Sequence, residues 1–127
     1  LEEDRERLSH FLYLTGVRLD DVDPERFDAL DGRRRYLVAA LIRRARHNPN
    51  LTADWTPIAP EEVRAALDAY AAFESSFDRA RAARFPVSYV LTSEHERADL
   101  SRLERFYERD AGERFGSFVL YRVRLRP

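Results

Sequence analysis

The sequence predicts a helix-dominated α/β single domain with a small two- or three-stranded sheet and a C-terminal strand-helix-strand unit. Three observations predict it. The front half of the chain carries apolar residues at helical spacing. Two later runs, Val87–Thr92 and Phe118–Leu125, are rich in β-branched and aromatic residues. Between them lies Ser93-Glu94-His95-Glu96, a capping-box pattern that opens a helix. The 127 residues leave room for one domain, taken as 1–127. A 44% apolar share with eight Phe, six Tyr and Trp55 excludes global disorder.

The first helix is expected from Leu1 to Leu14. Glu2, Glu3 and Asp4 suit its positive end, and Leu8, Phe11 and Leu12 form its apolar face. Thr15-Gly16 ends it. Val17-Arg18-Leu19 is a candidate third strand, and Asp20 to Asp23 a turn. Asp23-Pro24 starts a short helix, with Asp as cap and Pro at the first position.

A helix from about Arg33 to His47 follows. Leu37, Val38, Leu41, Ile42 and Ala45 share one arc; Arg33, Arg35, Arg43, Arg44 and Arg46 lie opposite, with Tyr36 and His47 among them. Asn48-Pro49-Asn50 breaks it, and Trp55 is expected to anchor the loop 51–58. The longest helix is expected over Pro60 to Ala83, with Val63, Leu67, Tyr70, Phe73 and Phe77 inside.

Val87–Thr92 is then a strand with Val87, Tyr89 and Leu91 on one face. The capped helix runs to about Arg109, with Leu100, Leu103, Phe106 and Tyr107 inside, and Asp110-Ala111-Gly112 closes it. In Phe118–Leu125, Val119, Tyr121, Val123 and Leu125 alternate with Leu120, Arg122, Arg124 and Arg126. A helical crossover between two strands favours a parallel pair. The expected core comprises Phe11, Leu37, Leu41, Leu67, Tyr70, Phe73, Phe77, Tyr89, Leu91, Leu103, Tyr121 and Val123.

All 22 basic residues are Arg, with Lys, Met, Cys and Gln absent. That usage fits a GC-rich genome, and it excludes disulfides, thiolate metal sites and cysteine catalysis. The chain opens on Leu1, and on that ground it is expected to be a piece of a longer protein or a processed product. No apolar run approaches 18 residues. Residues 1–31 hold ten acids and four Arg, a balance of −6; residues 32–53 hold six Arg and no acid, a balance of +6. Internal pairing of these segments is the simplest reading, and a near-neutral chain is not a general nucleic-acid binder.

No motif supplies a catalytic centre. His10, His47 and His95 lie on different elements without metal-ligand spacing. No Gly-x-Ser-x-Gly elbow and no Gly-x-Gly occur. Asp20-Asp21-x-Asp23 lacks the Gly and distal Glu of a calcium loop. No catalytic residue, metal or cofactor is therefore expected. The local anomaly is the Arg face. Arg35, Arg43 and Arg46 are its candidate binding residues, suited to anionic lipid headgroups or an acidic partner.

Thr15-Gly16-Val17-Arg18 follows an apolar helix. Phe85-Pro86-Val87 leads into Ser88-Tyr89-Val90-Leu91, and Phe115-Gly116-Ser117-Phe118-Val119-Leu120-Tyr121-Arg122-Val123 closes the chain. This order resembles the soluble C-terminal region of polytopic membrane glycosyltransferases of the dolichyl-phosphate-mannose/arabinose-transferase type. The resemblance rests mainly on Phe85 to Arg124; nothing between Arg18 and Phe85 matches it. It implies an extracytoplasmic domain attached to a membrane-embedded enzyme, with that membrane part as partner. It carries no catalytic residue onto this chain, because the family's catalytic acids lie in a loop of the membrane part. The function it implies is a non-catalytic accessory or binding domain. The alternatives are a soluble interaction module using the Arg face, and a small enzyme whose site is invisible in sequence.

Overall fold

The computed structural model of the chain describes residues 2–46, 57–95 and 99–127. The expected class holds: helices dominate, with one small sheet. The residues gather in two compact units. Unit 1 comprises Leu1–Ser9 and Arg18–Ser76; unit 2 comprises His10–Val17 and Phe77–Pro127. Helix α1, Glu2–Leu14, contributes residues to each.

Unit 1 continues with a 3-10 helix, Pro24–Ala29, then α2, Gly32–Ala45, and α3, Pro60–Ser76. Two aspartates start its helices. Asp23 accepts from the Glu25 N–H at 3.0 Å and Asp31 from the Arg34 N–H at 3.1 Å, filling donors that a helix start leaves orphaned. The Arg34 guanidinium hydrogen-bonds back to Asp31 at 2.7 Å, and that bond holds the Asp31 carboxyl below its ordinary range. α3 packs on α2 and on the 3-10 helix. Leu19, Val22, Val38, Leu41, Ile42, Val63, Tyr70 and Phe73 are buried. Leu37 and Leu67 are only half-buried and Ala45 is exposed. His47 and Trp55 lie outside the described residues.

Unit 2 contains α4, Arg79–Arg84, then β1, Tyr89–Ser93, α5, Ser101–Phe106, β2, Tyr107–Arg109, β3, Glu113–Phe115, and β4, Phe118–Leu125. β4 is the central strand. β1 runs antiparallel along one edge, and β2 and β3 pair with the other. Asp110-Ala111-Gly112 interrupts that second edge. Asp110 Oδ1 accepts from the Gly112 and Arg122 N–H groups at 3.0 and 3.1 Å, and Gly112 has φ +86°. An aromatic cluster fills the unit. Tyr13 stacks on Phe77 at 4.1 Å, Phe106 meets Phe77 edge-on at 5.2 Å, and buried His10 touches Phe77 and Phe85. Tyr107 is 0% exposed; its hydroxyl donates to the Ala82 carbonyl at 3.4 Å and accepts from the Val87 N–H at 3.2 Å.

Several expectations are corrected. Phe11 is 57% exposed. Phe11 to Leu14 is an unbroken apolar run, and at 100° per residue four neighbours cannot share one arc, so one faces out. Val17–Leu19 forms no strand, although Val17 and Leu19 are buried. The long helix divides into α3 and α4. Ser75 and Ser76 turn their hydroxyls onto the Ala72 and Phe73 carbonyls, and Asp78 starts a new helix by accepting from the Arg81 N–H at 2.8 Å.

Ser93 ends β1 instead of opening a helix. Its hydroxyl accepts from the His95 N–H at 3.2 Å, and the following helix, α5, starts only at Ser101. The parallel pair is also overturned. β1 and β4 are antiparallel because the chain returns through β2 and β3 and reverses direction at Gly116-Ser117. Finally, Tyr89 and Leu91 are not core. The register pairs Val90 with Tyr121 and Thr92 with Val119, so those residues share the inner side and Tyr89 and Leu91 face outward.

Candidate functional site

Residues directly opposite in an antiparallel ladder project from the same side of the sheet. The register pairs Tyr89 with Arg122, Leu91 with Leu120 and Ser93 with Phe118 across β1 and β4. Across β3 and β4 it pairs Glu113 with Leu120 and Phe115 with Phe118. The outer face of the unit 2 sheet therefore carries Tyr89, Leu91, Leu120, Phe118 and Phe115 as one block. Tyr89 is 59% exposed, Leu91 60%, Phe115 52% and Phe118 46%. The inner side is the ordinary one: Val123 is buried, and Val90, Thr92, Val119 and Tyr121 are half-buried. The Arg109 guanidinium lies over the Tyr121 ring at 4.9 Å.

Charges rim the block. Arg124 pairs with Glu108 at 2.8 Å, and this bond holds the Glu108 carboxyl below its usual range. On the inner side, opposite Val119, Arg114 pairs with Glu94 at 2.8 Å and donates to the Gly116 carbonyl at 3.0 Å, which braces the β3–β4 turn. Arg122 and Glu113 sit on the outer face beside Leu120, and among the described residues neither side chain has an ion-pair or hydrogen-bond partner. This block escapes a reading of the sequence alone because large apolar residues are assigned to the interior by default.

A cavity of about 490 Å³ lies near Glu104, Tyr107, Glu108, Arg109, Asp110, Ala111 and Arg126. Its acids are committed to structure: Glu104 to Arg109 at 2.7 Å, Glu108 to Arg124, and Asp110 to the two N–H groups of the strand interruption. Burial pushes the Tyr107 hydroxyl up, so it stays protonated in its structural bonds. The described residues hold no group of three His, Asp or Glu placed to take a metal.

The structure does not bring Arg35, Arg43 and Arg46 together as one exposed face. Arg35 is exposed and donates to the Asp28 carbonyl at 3.1 Å. Arg43 is half-buried. Arg46, its side chain 16% exposed, forks onto Glu62 with two bonds of 2.7 Å and also donates to the Pro57 carbonyl at 3.0 Å. Arg34, not one of the three, makes the pairing with the acidic N-terminal segment, through Asp21 and Asp31. The Arg46–Glu62 fork ties the end of α2 to the start of α3, and Glu62 also accepts from the Ala59 N–H. Glu62→Ala is expected to cost about 1–2 kcal/mol, because it leaves a half-desolvated guanidinium without its carboxylate. A shifted urea midpoint, partly recovered in Glu62→Gln, checks this.

Comparison with family models, with curated proteins and with solved structures finds no match for this chain. Among the described residues no helix is long and apolar enough to cross a membrane.

Proposed function

We propose that this chain is a non-catalytic binding domain that joins protein chains through the outer face of its sheet, as an accessory part of a membrane-embedded glycosyltransferase-like protein. The observation that carries the reading is the exposed block of Tyr89, Leu91, Phe115 and Phe118 on one face. Aromatic side chains present about 150–250 Å² each when fully exposed. Three at roughly half exposure, with Leu91, leave about 400 Å² of apolar surface in water, the size of the largest patch on a typical monomer, which is often functional. Its Tyr and Phe, with Arg at the edge, are residue types enriched in protein interfaces.

The acids around the cavity support a non-catalytic role, since each is already held by an Arg or a backbone N–H. The parent is the one to which the resemblance points. Its closing stretch, Phe115 to Val123, supplies the last residue of β3 and most of β4, and with them Phe115, Phe118 and Leu120 of the block. An extracytoplasmic position follows from that same parent.

The test uses the full parent polypeptide. Several spans of about 20 apolar residues are expected in it. The detergent-solubilised protein is expected to purify as an assembly that Leu91→Ser with Phe118→Ser takes apart. A parent without such spans overturns the membrane reading. Turnover by the isolated chain in a glycosyl-transfer screen overturns the non-catalytic one.

A further inference from the structure

We infer that the occupant of this face is a second copy of the same face, packed about a two-fold axis. The inference rests on the reading of the face as a binding surface and names what binds there. It follows from where the two unpartnered charges sit. Arg122 lies two residues along β4 from Leu120, and Glu113 lies directly across from Leu120 on β3. A cation and an anion thus flank the apolar block on one surface.

Strands lie about 4.8 Å apart, and alternate residues on a strand about 6.8 Å apart. On that grid, a two-fold axis lying in the contact plane close to Leu91 and Leu120 exchanges the positions of Arg122 and Glu113. The same axis sets Tyr89 against Phe115 and Phe118 of the second copy, and gathers Leu91 and Leu120 of both copies at the centre. One operation therefore pairs both lone charges and buries the whole block. An isologous contact requires this: residue i meets j, and j meets i. Any other protein partner would have to supply the same complement by separate means.

The area agrees. About 400 Å² of apolar surface is half of the roughly 800 Å² per partner in a standard interface. Ser93, Arg122, Glu113 and the Arg124–Glu108 pair supply a polar rim of the kind such interfaces carry.

The experiment is sedimentation equilibrium on the whole chain from about 1 μM to 1 mM, with circular dichroism and urea midpoints as controls for folding. The wild type is expected to dimerise within that range. Leu91→Asp is expected to weaken dimerisation at least about 100-fold. Arg122→Glu and Glu113→Arg are each expected to weaken it about tenfold. The double exchange is expected to restore it, because the two-fold pairs the new charges again. Raising salt from 50 to 500 mM is expected to weaken the wild type and the double exchange alike. A chain that stays monomeric throughout the range overturns the inference. So does a dimer indifferent to Leu91→Asp, or a double exchange no better than the single variants. If the chain is monomeric while the parent's assembly still depends on Leu91 and Phe118, the binding-domain reading stands and only the second copy falls.

Discussion

Replacing Phe77 with alanine is expected to destabilise unit 2 by about 3–5 kcal/mol, the range for deleting a buried aromatic ring and leaving its cavity. The ring is 7% exposed and is held from three directions: stacked on Tyr13, edge-on to Phe106, and tilted against His10. Aromatic pairs of this geometry add to the loss beyond the transferred area. The neighbours cannot collapse easily into the space. Tyr13 is also fixed from its own surroundings by the Arg102 guanidinium, 4.6 Å from its ring centre. Phe77→Leu keeps most of the volume and is expected to cost less than half as much. Denaturant unfolding of both variants, followed by near-ultraviolet circular dichroism of the aromatic cluster, measures the difference. Equal stability of Phe77→Ala and the wild type would show that the ring is not an organising contact.

Gly16→Val is the second large effect, at about 2–5 kcal/mol. Gly16 ends α1 with φ +79°, a conformation that costs a side-chain-bearing residue about 1–2 kcal/mol, more when the side chain is β-branched. A Cβ there also has no room. It would overlap the Asp99 carbonyl oxygen and come within 2.7 Å of the Asp99 Cβ. Backbone and a short side chain cannot swing aside as the tip of a long one can, so the overlap adds about 1–3 kcal/mol of displacement. Gly32 is the control. It opens α2 without positive φ, and nothing lies within 4 Å of an added Cβ. Gly32→Ala is expected to be neutral or to stabilise by up to about 1 kcal/mol by restricting the unfolded chain. A large loss for Gly16→Val beside no loss or a small gain for Gly32→Ala, read from urea midpoints, is the expected result.

Where the sequence was legible, one signal dominated. Phe118–Leu125 is legible to the residue, because Val119, Tyr121 and Val123 alternate cleanly with Arg122 and Arg124. Periodicity alone puts Leu41, Tyr70, Phe73, Phe77, Leu103 and Val123 in the core, and all are buried. β1 was found but turned over. Tyr89 and Leu91 are no more polar than Val90 and Thr92, so alternation identified a strand without saying which side faces in; only the ladder with β4 decides that. β2 and β3 went unread because Tyr-Glu-Arg and Glu-Arg-Phe have charged interiors. They are strands because the free edge of β4 supplies their hydrogen bonds, which is pairing context rather than propensity. The Arg face was visible as composition. That Arg46 is taken by Glu62, sixteen positions away, depends on how α2 and α3 cross.

The pairing scheme also sets a timetable for synthesis. β1, β2 and β3 each pair with β4, and all three precede it in the chain. A ribosome therefore extrudes three strands that have no ladder partner until Phe118–Leu125 has emerged. The residues His10–Val17, made before all four strands, belong to the same unit and wait longest. A nascent chain arrested before Phe118 exposes Tyr-Val-Leu-Thr without its ladder, the kind of open edge that recruits other chains. At about 5–20 residues per second the interval from β1 to the end of β4 lasts a few seconds, and codons that slow that stretch lengthen the exposure of the strands made before it.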